Sequence, residues 1–247
     1  MKHFPVMVVA ALAVASPLAA KPLATKPASS AAAVSDPARS ADNRAMDEGR
    51  EPAQVLDFVG FAKGQVVADY SAGGGYYSEL ISRVIGPKGG VIALESPRYF
   101  KADVWDRLRA SHPNVAIIAS DNLDLAPRSV DAVFTHLVFH DLFLPARPGQ
   151  AAPDSQRVLA NWFAAIRPGG QLIIADHVGN PGNVTITAGT LHRIDPAAAR
   201  AAAEKAGFQF VAESSVLHRS MDDHLLRVFD PSVRGKTDRF LMKFKRP

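Results

Sequence analysis

Short apolar runs alternate along the chain with segments whose apolar residues recur at helical spacing. Val66, Val67 and Ala68 suit a strand buried on both faces, and Tyr76, Tyr77, Leu80, Ile81 and Val84 then repeat at the helical period. A second apolar strand spans Val91 to Leu94, ending in Glu95. Ahead of these, Pro52 to Phe61 is an amphipathic helical segment with Val55, Leu56, Phe58 and Val59 on its apolar side. The pattern continues with a helix over 100–110, a strand over Asn114 to Ala119 and a strand over Val130 to Thr135. A fifth strand follows the Pro168-Gly169-Gly170 turn, over Gln171 to Ala175, and an Ala-rich helix covers 196–206. Strands near Phe208 to Val216 and over Arg239 to Phe244 close the chain with no clear helix between them. Strands alternating with helices predict an α/β fold with a parallel sheet, and the last two strands predict an antiparallel pair.

The most informative stretch is Gln65 to Tyr77. Asp69 closes the first strand, and Ser71 to Gly75 strip side chains from the loop so that its backbone can approach a ligand. Strand, glycine loop and helix N-terminus form the nucleotide-binding corner of a doubly wound sheet. A dinucleotide site would require glycines at 73, 75 and 78, and position 78 is Ser78. The acid before the loop would repel a pyrophosphate and suits a ligand that carries an ammonium group. Glu95 lies about two dozen residues past the loop, the spacing at which an acid pairs with ribose hydroxyls. The bland alternatives are a turn that merely joins strand to helix and a solvated carboxylate at a strand end.

Asp69, Gly73 and Gly75 fill three of the four places in acid-x-Gly-x-Gly-x-Gly, and Ser71 stands at the first glycine, where a positive φ would cost a residue with a Cβ. The pattern resembles motif I of the class I S-adenosylmethionine-dependent methyltransferases. Ala72–Tyr77, Phe139–Leu142, Leu191–Pro196 and Arg234–Phe240 further resemble a group of predicted bacterial methyltransferases that carry signal peptides. The resemblance covers nearly all of residues 42–247. It implies a Rossmann-like doubly wound sheet, mostly parallel, with an antiparallel C-terminal strand pair. It also implies S-adenosylmethionine as cofactor, held by Asp69, Ser71, Gly73, Gly75 and Glu95, with Asp121 at the adenine. An Asp after a strand is also ordinary turn chemistry. The implied acceptor is an unidentified small molecule.

Ligands of open α/β sheets sit beyond the carboxyl ends of the strands. The sequence places Asp69, Glu95, Asp121, His136, His140, Asp141, Asp176 and His177 there, with His192, Arg193 and Asp195 in a loop near the same face. Histidine is the natural base near neutral pH. The expected catalytic group is therefore His140 with its neighbour Asp141, and then His177. A metal reading competes: His136 and His140 are four apart, and His177, His192 or Asp195 would complete a ligand set. The reading adopted assigns no metal. The run Arg234 to Arg239 reads as a surface β-turn, and alternatively as an anion-orienting segment. Arg44, Asp47, Arg50 and Glu51 read as a solvated helix face.

Composition alters this picture at the N-terminus. Lys2 and His3 precede an apolar run to Ala15 and small residues to Ala20, the pattern of a signal peptide over residues 1–20. The run is too short for a comfortable membrane span, so no stable membrane insertion is expected after cleavage. Residues 21–41, rich in Ala, Pro and Ser, read as a flexible linker before a domain over 42–247. The expected location is periplasmic or secreted, and the 247-residue chain has no cysteine. The net charge of +4 is scattered and gives no aromatic and basic patch for nucleic acid. The competing function is an exported, non-catalytic binding protein of the same fold, for a nucleoside-like ligand or a metal. Oligomeric state is not legible.

Overall fold

A computed structural model describes residues 29–247. The expected signal peptide and the first residues of the expected linker lie outside the described residues. Seven strands form one sheet: β1 (Val66–Tyr70), β2 (Gly90–Glu95), β3 (Val115–Ala119), β4 (Val130–His136), β5 (Ile166–His177), β6 (Gln209–Ser214) and β7 (Arg239–Lys245). Their order is β3-β2-β1-β4-β5-β7-β6. β1 to β5 pair in parallel, and β7 lies antiparallel between β5 and β6. The expected fold, mostly parallel with an antiparallel C-terminal pair, is the one observed.

Side chains alternate across a strand, and the sheet uses both faces. Val67, Ala93, Phe134, Ala175 and Leu241 face one apolar layer, with α4 (Pro52–Val59), α5 (Tyr76–Ile85) and Trp105 of α6 (Ala102–Ser111). Ala68, Val133, Ile174 and Phe240 face the other layer, with α7 (Ser155–Ala165) and α9 (Pro196–Lys205). Such double coverage is why the central strands read as unbroken apolar runs rather than alternating ones.

Three expectations are corrected. β5 runs from Ile166, through the Pro168-Gly169-Gly170 segment expected to be a turn, to His177. Two helices were not expected: α7, capped by Asp154, and α8 (Val184–Leu191), capped by Asn183. The third concerns the linker over 21–41, which is helical over Ser30–Ser35 (α1) and packed against α4 and α5. Arg39 fixes it there. Its side chain is fully buried and grips Asp47 through two hydrogen bonds of 2.6 and 2.8 Å, while also donating to the Val34 carbonyl at 2.8 Å. The packed domain therefore begins ahead of residue 42. Two short helices, α2 (Ala41–Arg44) and α3 (Asp47–Arg50), cover the 44–51 segment, and Arg44 is exposed as expected. Asp47 and Arg50 instead turn to Tyr76, which donates to Asp47 at 2.7 Å and has the Arg50 guanidinium 4.2 Å from its ring centre.

Candidate active site

The loop between β1 and α5 carries the cofactor residues expected from sequence. Ser71, Gly73 and Gly75 all adopt positive φ, at 54°, 59° and 79°. A Cβ on Gly73 would meet nothing within 4 Å, so its need for glycine is conformational. At Gly75 a Cβ would come within 2.8 Å of Leu108 and 3.2 Å of the Trp105 ring, so this glycine also lets α6 close onto the loop. Glu95, at the end of β2, accepts from the Gly73 backbone N–H at 2.5 Å and the Ser96 N–H at 2.7 Å. Its carboxylate keeps further lone pairs for hydroxyl donors. Asp69 is buried and accepts from the Ser78 hydroxyl at 2.6 Å. Burial pushes its carboxyl up to about 7, the Glu95 charge adding to the rise and the Ser78 bond opposing it. The structure thus brings Asp69, Ser71, Gly73, Gly75 and Glu95 into one corner. Asp121 is exposed after β3, lining a small cavity of ≈ 80 Å³ with Tyr70, Arg157 and Trp162.

A second polar group occupies the ends of β4 and β5. His140 sits on a buried 3₁₀ turn, Phe139–Phe143, directly after β4. Asp176, near the end of β5, accepts from the His140 backbone N–H at 2.6 Å and lies 2.9 Å from its ring Nδ1. That pairing places the imidazole proton on Nδ1 and leaves the Nε2 lone pair outward. Burial disfavours the charged ring, but Asp176 outweighs it and raises the His140 pKa above the usual histidine value. The Nε2 meets Asp141 Oδ1 at 3.3 Å and His192 Nδ1 at 3.3 Å. His192 ends α8 with φ 54°, and α8 packs on the 3₁₀ turn, which carries the ring inward. Burial, with the charges of His140 and Arg227, lowers the His192 pKa to about 4.

His177 is adjacent but differently occupied. Its Nδ1 lies 2.7 Å from the Thr237 hydroxyl, and its ring centre is 6.2 Å from that of His140. Burial and the positive charge of Arg239 hold it neutral, well below the usual histidine range. His136 is not a partner of His140. It stacks parallel to Phe134, 6.2 Å between ring centres, and packs on Tyr77, with Nε2 buried and unpaired. A strand residue and a residue of the following turn do not share a helical face, so their spacing of four carries no ligand geometry.

Arg193 and Asp195 beside His192, and residues 237–239, prove structural. Arg193 is fully buried and clamps Asp222 by hydrogen bonds of 2.8 and 3.0 Å. Asp195 caps α9. Arg234, Gly235 and Lys236 form the exposed turn expected, whereas Thr237, Asp238 and Arg239 are buried: Asp238 bonds His218 and His224, and Arg239 donates to the Gly49 carbonyl. Sequence reasoning named Asp176 and His192 as nearby without pairing them to His140. Separations of 36 and 52 residues leave no local signal.

Residues 68–174 match the family described as Methyltransferase domain. An arsenite methyltransferase of Halobacterium salinarum is 27% identical over 124 residues, a match covering 49% of this chain and 29% of that protein. A SAM-dependent methyltransferase from Aquifex aeolicus superposes with a TM-score of 0.55 at 18% identity, over 84% of this chain and all of the other. One from Mesorhizobium loti gives 0.57 at 14% identity, over 81% of this chain and all of the other. Sheet order and the superpositions give the chain the fold of the class I S-adenosylmethionine-dependent methyltransferases, and within that fold residues 68–174 match the methyltransferase domain family.

Proposed function

We propose that the protein transfers a methyl group from S-adenosylmethionine to a small-molecule acceptor. The observation that carries this is the Asp69–Ser71–Gly73–Gly75–Glu95 corner: a bare backbone loop between two buried carboxylates, one matched to an ammonium group and one to a ribose diol. Asp121, beside the cavity under Tyr70 and Trp162, is assigned to the adenine.

The sulfonium cofactor is already activated, so the protein has to align the acceptor and lower the cost of removing its proton. His140 and Asp141, with Asp176 and His192 behind them, are assigned to that task. The order of the sheet supports the assignment: β1 pairs with β4 and β4 with β5, so their carboxyl ends stand side by side. His177 is assigned to the wall of the acceptor pocket, because its Nδ1 is engaged with Thr237 and its ring stays neutral. Arsenite is not carried over as acceptor. It is thiophilic, and this chain has no cysteine to hold it.

The test is transfer of labelled methyl from S-adenosylmethionine into a fractionated small-molecule extract. His140→Ala should lower transfer by roughly 10²–10⁴-fold while cofactor affinity stays within about twofold, a change too small to mark a lost contact. Absence of transfer by the wild-type protein to any fraction would contradict methyl transfer, and full transfer by the variant would remove His140 from the reaction.

A further inference from the structure

We propose that His140, Asp141 and His192 bind one divalent first-row transition cation of zinc's kind, leaving a fourth position open. His140 Nε2 is 3.3 Å from both His192 Nδ1 and Asp141 Oδ1, and His192 Nδ1 is 3.9 Å from Asp141 Oδ1. Ligands about 2.0–2.1 Å from a tetrahedral zinc are separated by edges of roughly 3.3 Å. Two of the three edges have that length, and the third closes with a rotation of the half-exposed Asp141 side chain.

The surroundings are built for a ligand role. Asp176 holds His140 by backbone and ring together, fixing the proton on Nδ1 and the lone pair on Nε2, the carboxylate–histidine arrangement that orients metal ligands. His192 keeps a left-handed backbone that a residue with a Cβ adopts at a cost, and it is from this conformation that Nδ1 reaches His140. Two carboxylates, Asp141 and Asp176, offset two positive charges.

The same atoms explain why a lone histidine base is the weaker description. The Nε2 lone pair that would take an acceptor proton is directed at His192 Nδ1 instead. Without a cation, one proton must lie between the two rings. Arg227 Nη2 stands 3.2 Å from His192 Nε2 and can only donate there, so His192 Nδ1–H donates to His140. A cation replaces that one proton, and Arg227, on an exposed bond, releases Nε2. An acceptor hydroxyl at the open position would then lose its proton more readily. This last point rests on the methyltransferase reading; the cation site itself does not.

The measurement is titration of chelator-treated full-length protein with Zn²⁺ against a chromophoric chelator, in the absence of S-adenosylmethionine. One equivalent should bind, and Co²⁺ in its place should give the visible absorption of a four-coordinate complex. His192→Ala and Asp141→Asn should each abolish the tight equivalent, and Asp141→Asn is an isosteric change at a half-exposed side chain. Asp176→Asn should weaken binding roughly 10–100-fold. His218→Ala, at an exposed histidine elsewhere, should change nothing. Failure of the folded wild type to bind one equivalent, or an undiminished site in folded His192→Ala, would overturn the proposal. Either result leaves the methyltransferase reading to be judged by cofactor binding alone.

Discussion

Asp69 ties one side chain to a measurable pH dependence. Its carboxyl is raised from 3.8 to about 7, first by burial, so over that interval the folded protein holds a proton that the unfolded chain has released. Stability contributed by this group therefore declines as pH rises from about 4 to about 7, and Asp69→Asn removes that slope. Cofactor binding runs the other way. An ammonium group needs the carboxylate, so S-adenosylmethionine affinity should rise with pH between about 5.5 and 7, approaching tenfold per unit at the acid end. Calorimetry in buffers of different ionisation enthalpy reads the accompanying proton release. A flat affinity across that interval, or the same slope in Asp69→Asn, would remove Asp69 from the ammonium site. The sequence already showed this residue at a strand end before a glycine loop. It did not show the pKa, because burial and the approach of Glu95 belong to the assembled sheet. Ser71 was legible in another sense: the positive φ that would cost a serine at the first glycine place is the φ it adopts.

Among elements, the segment before the first strand departs furthest from its sequence. Residues 29–41 have few large side chains, and composition reads them as unable to fold alone. They fold because Arg39 is inserted beneath α1, satisfying Asp47 and lying 3.9 Å from Glu79 of α5. Arg39→Ala should destabilise the protein by roughly 3 kcal/mol, the low end for breaking a buried pair because Asp47 retains some contact with water. Chemical denaturation checks it, and a loss under about 1 kcal/mol would mean the segment is dispensable to the core. Helix α8 was illegible for a different reason. Val184, Thr185, Ile186, Thr187 and Thr190 are β-branched and favour strands locally. The Asn183 cap and packing on the 3₁₀ turn override that preference. The central parallel strands were legible because burial on both faces leaves short unbroken apolar runs, as in β1, β2 and β4.

For the whole molecule, sheet order does what no single motif does. It sets the ends of β2, β1, β4 and β5 in one row, so Glu95, Ser71, His140 and Asp176 stand along one edge of the sheet from four separate stretches of sequence. Sequence reading found the members of this row by the rule that ligands lie beyond strand ends. The pairing of His140 with Asp176 and His192 required the fold. Among the described residues no helix is long and apolar enough to cross a membrane. The central claim is that the glycine corner holds S-adenosylmethionine, and calorimetric titration of the full-length protein with that cofactor and its demethylated product tests it most directly. Both should bind the wild type, and Glu95→Ala should lose on the order of 1–3 kcal/mol, the cost of leaving ribose hydroxyls without their partner. Equal affinity in wild type and Glu95→Ala would remove Glu95 from the site, and no binding by the folded wild type would contradict the account and favour a binding protein for another ligand.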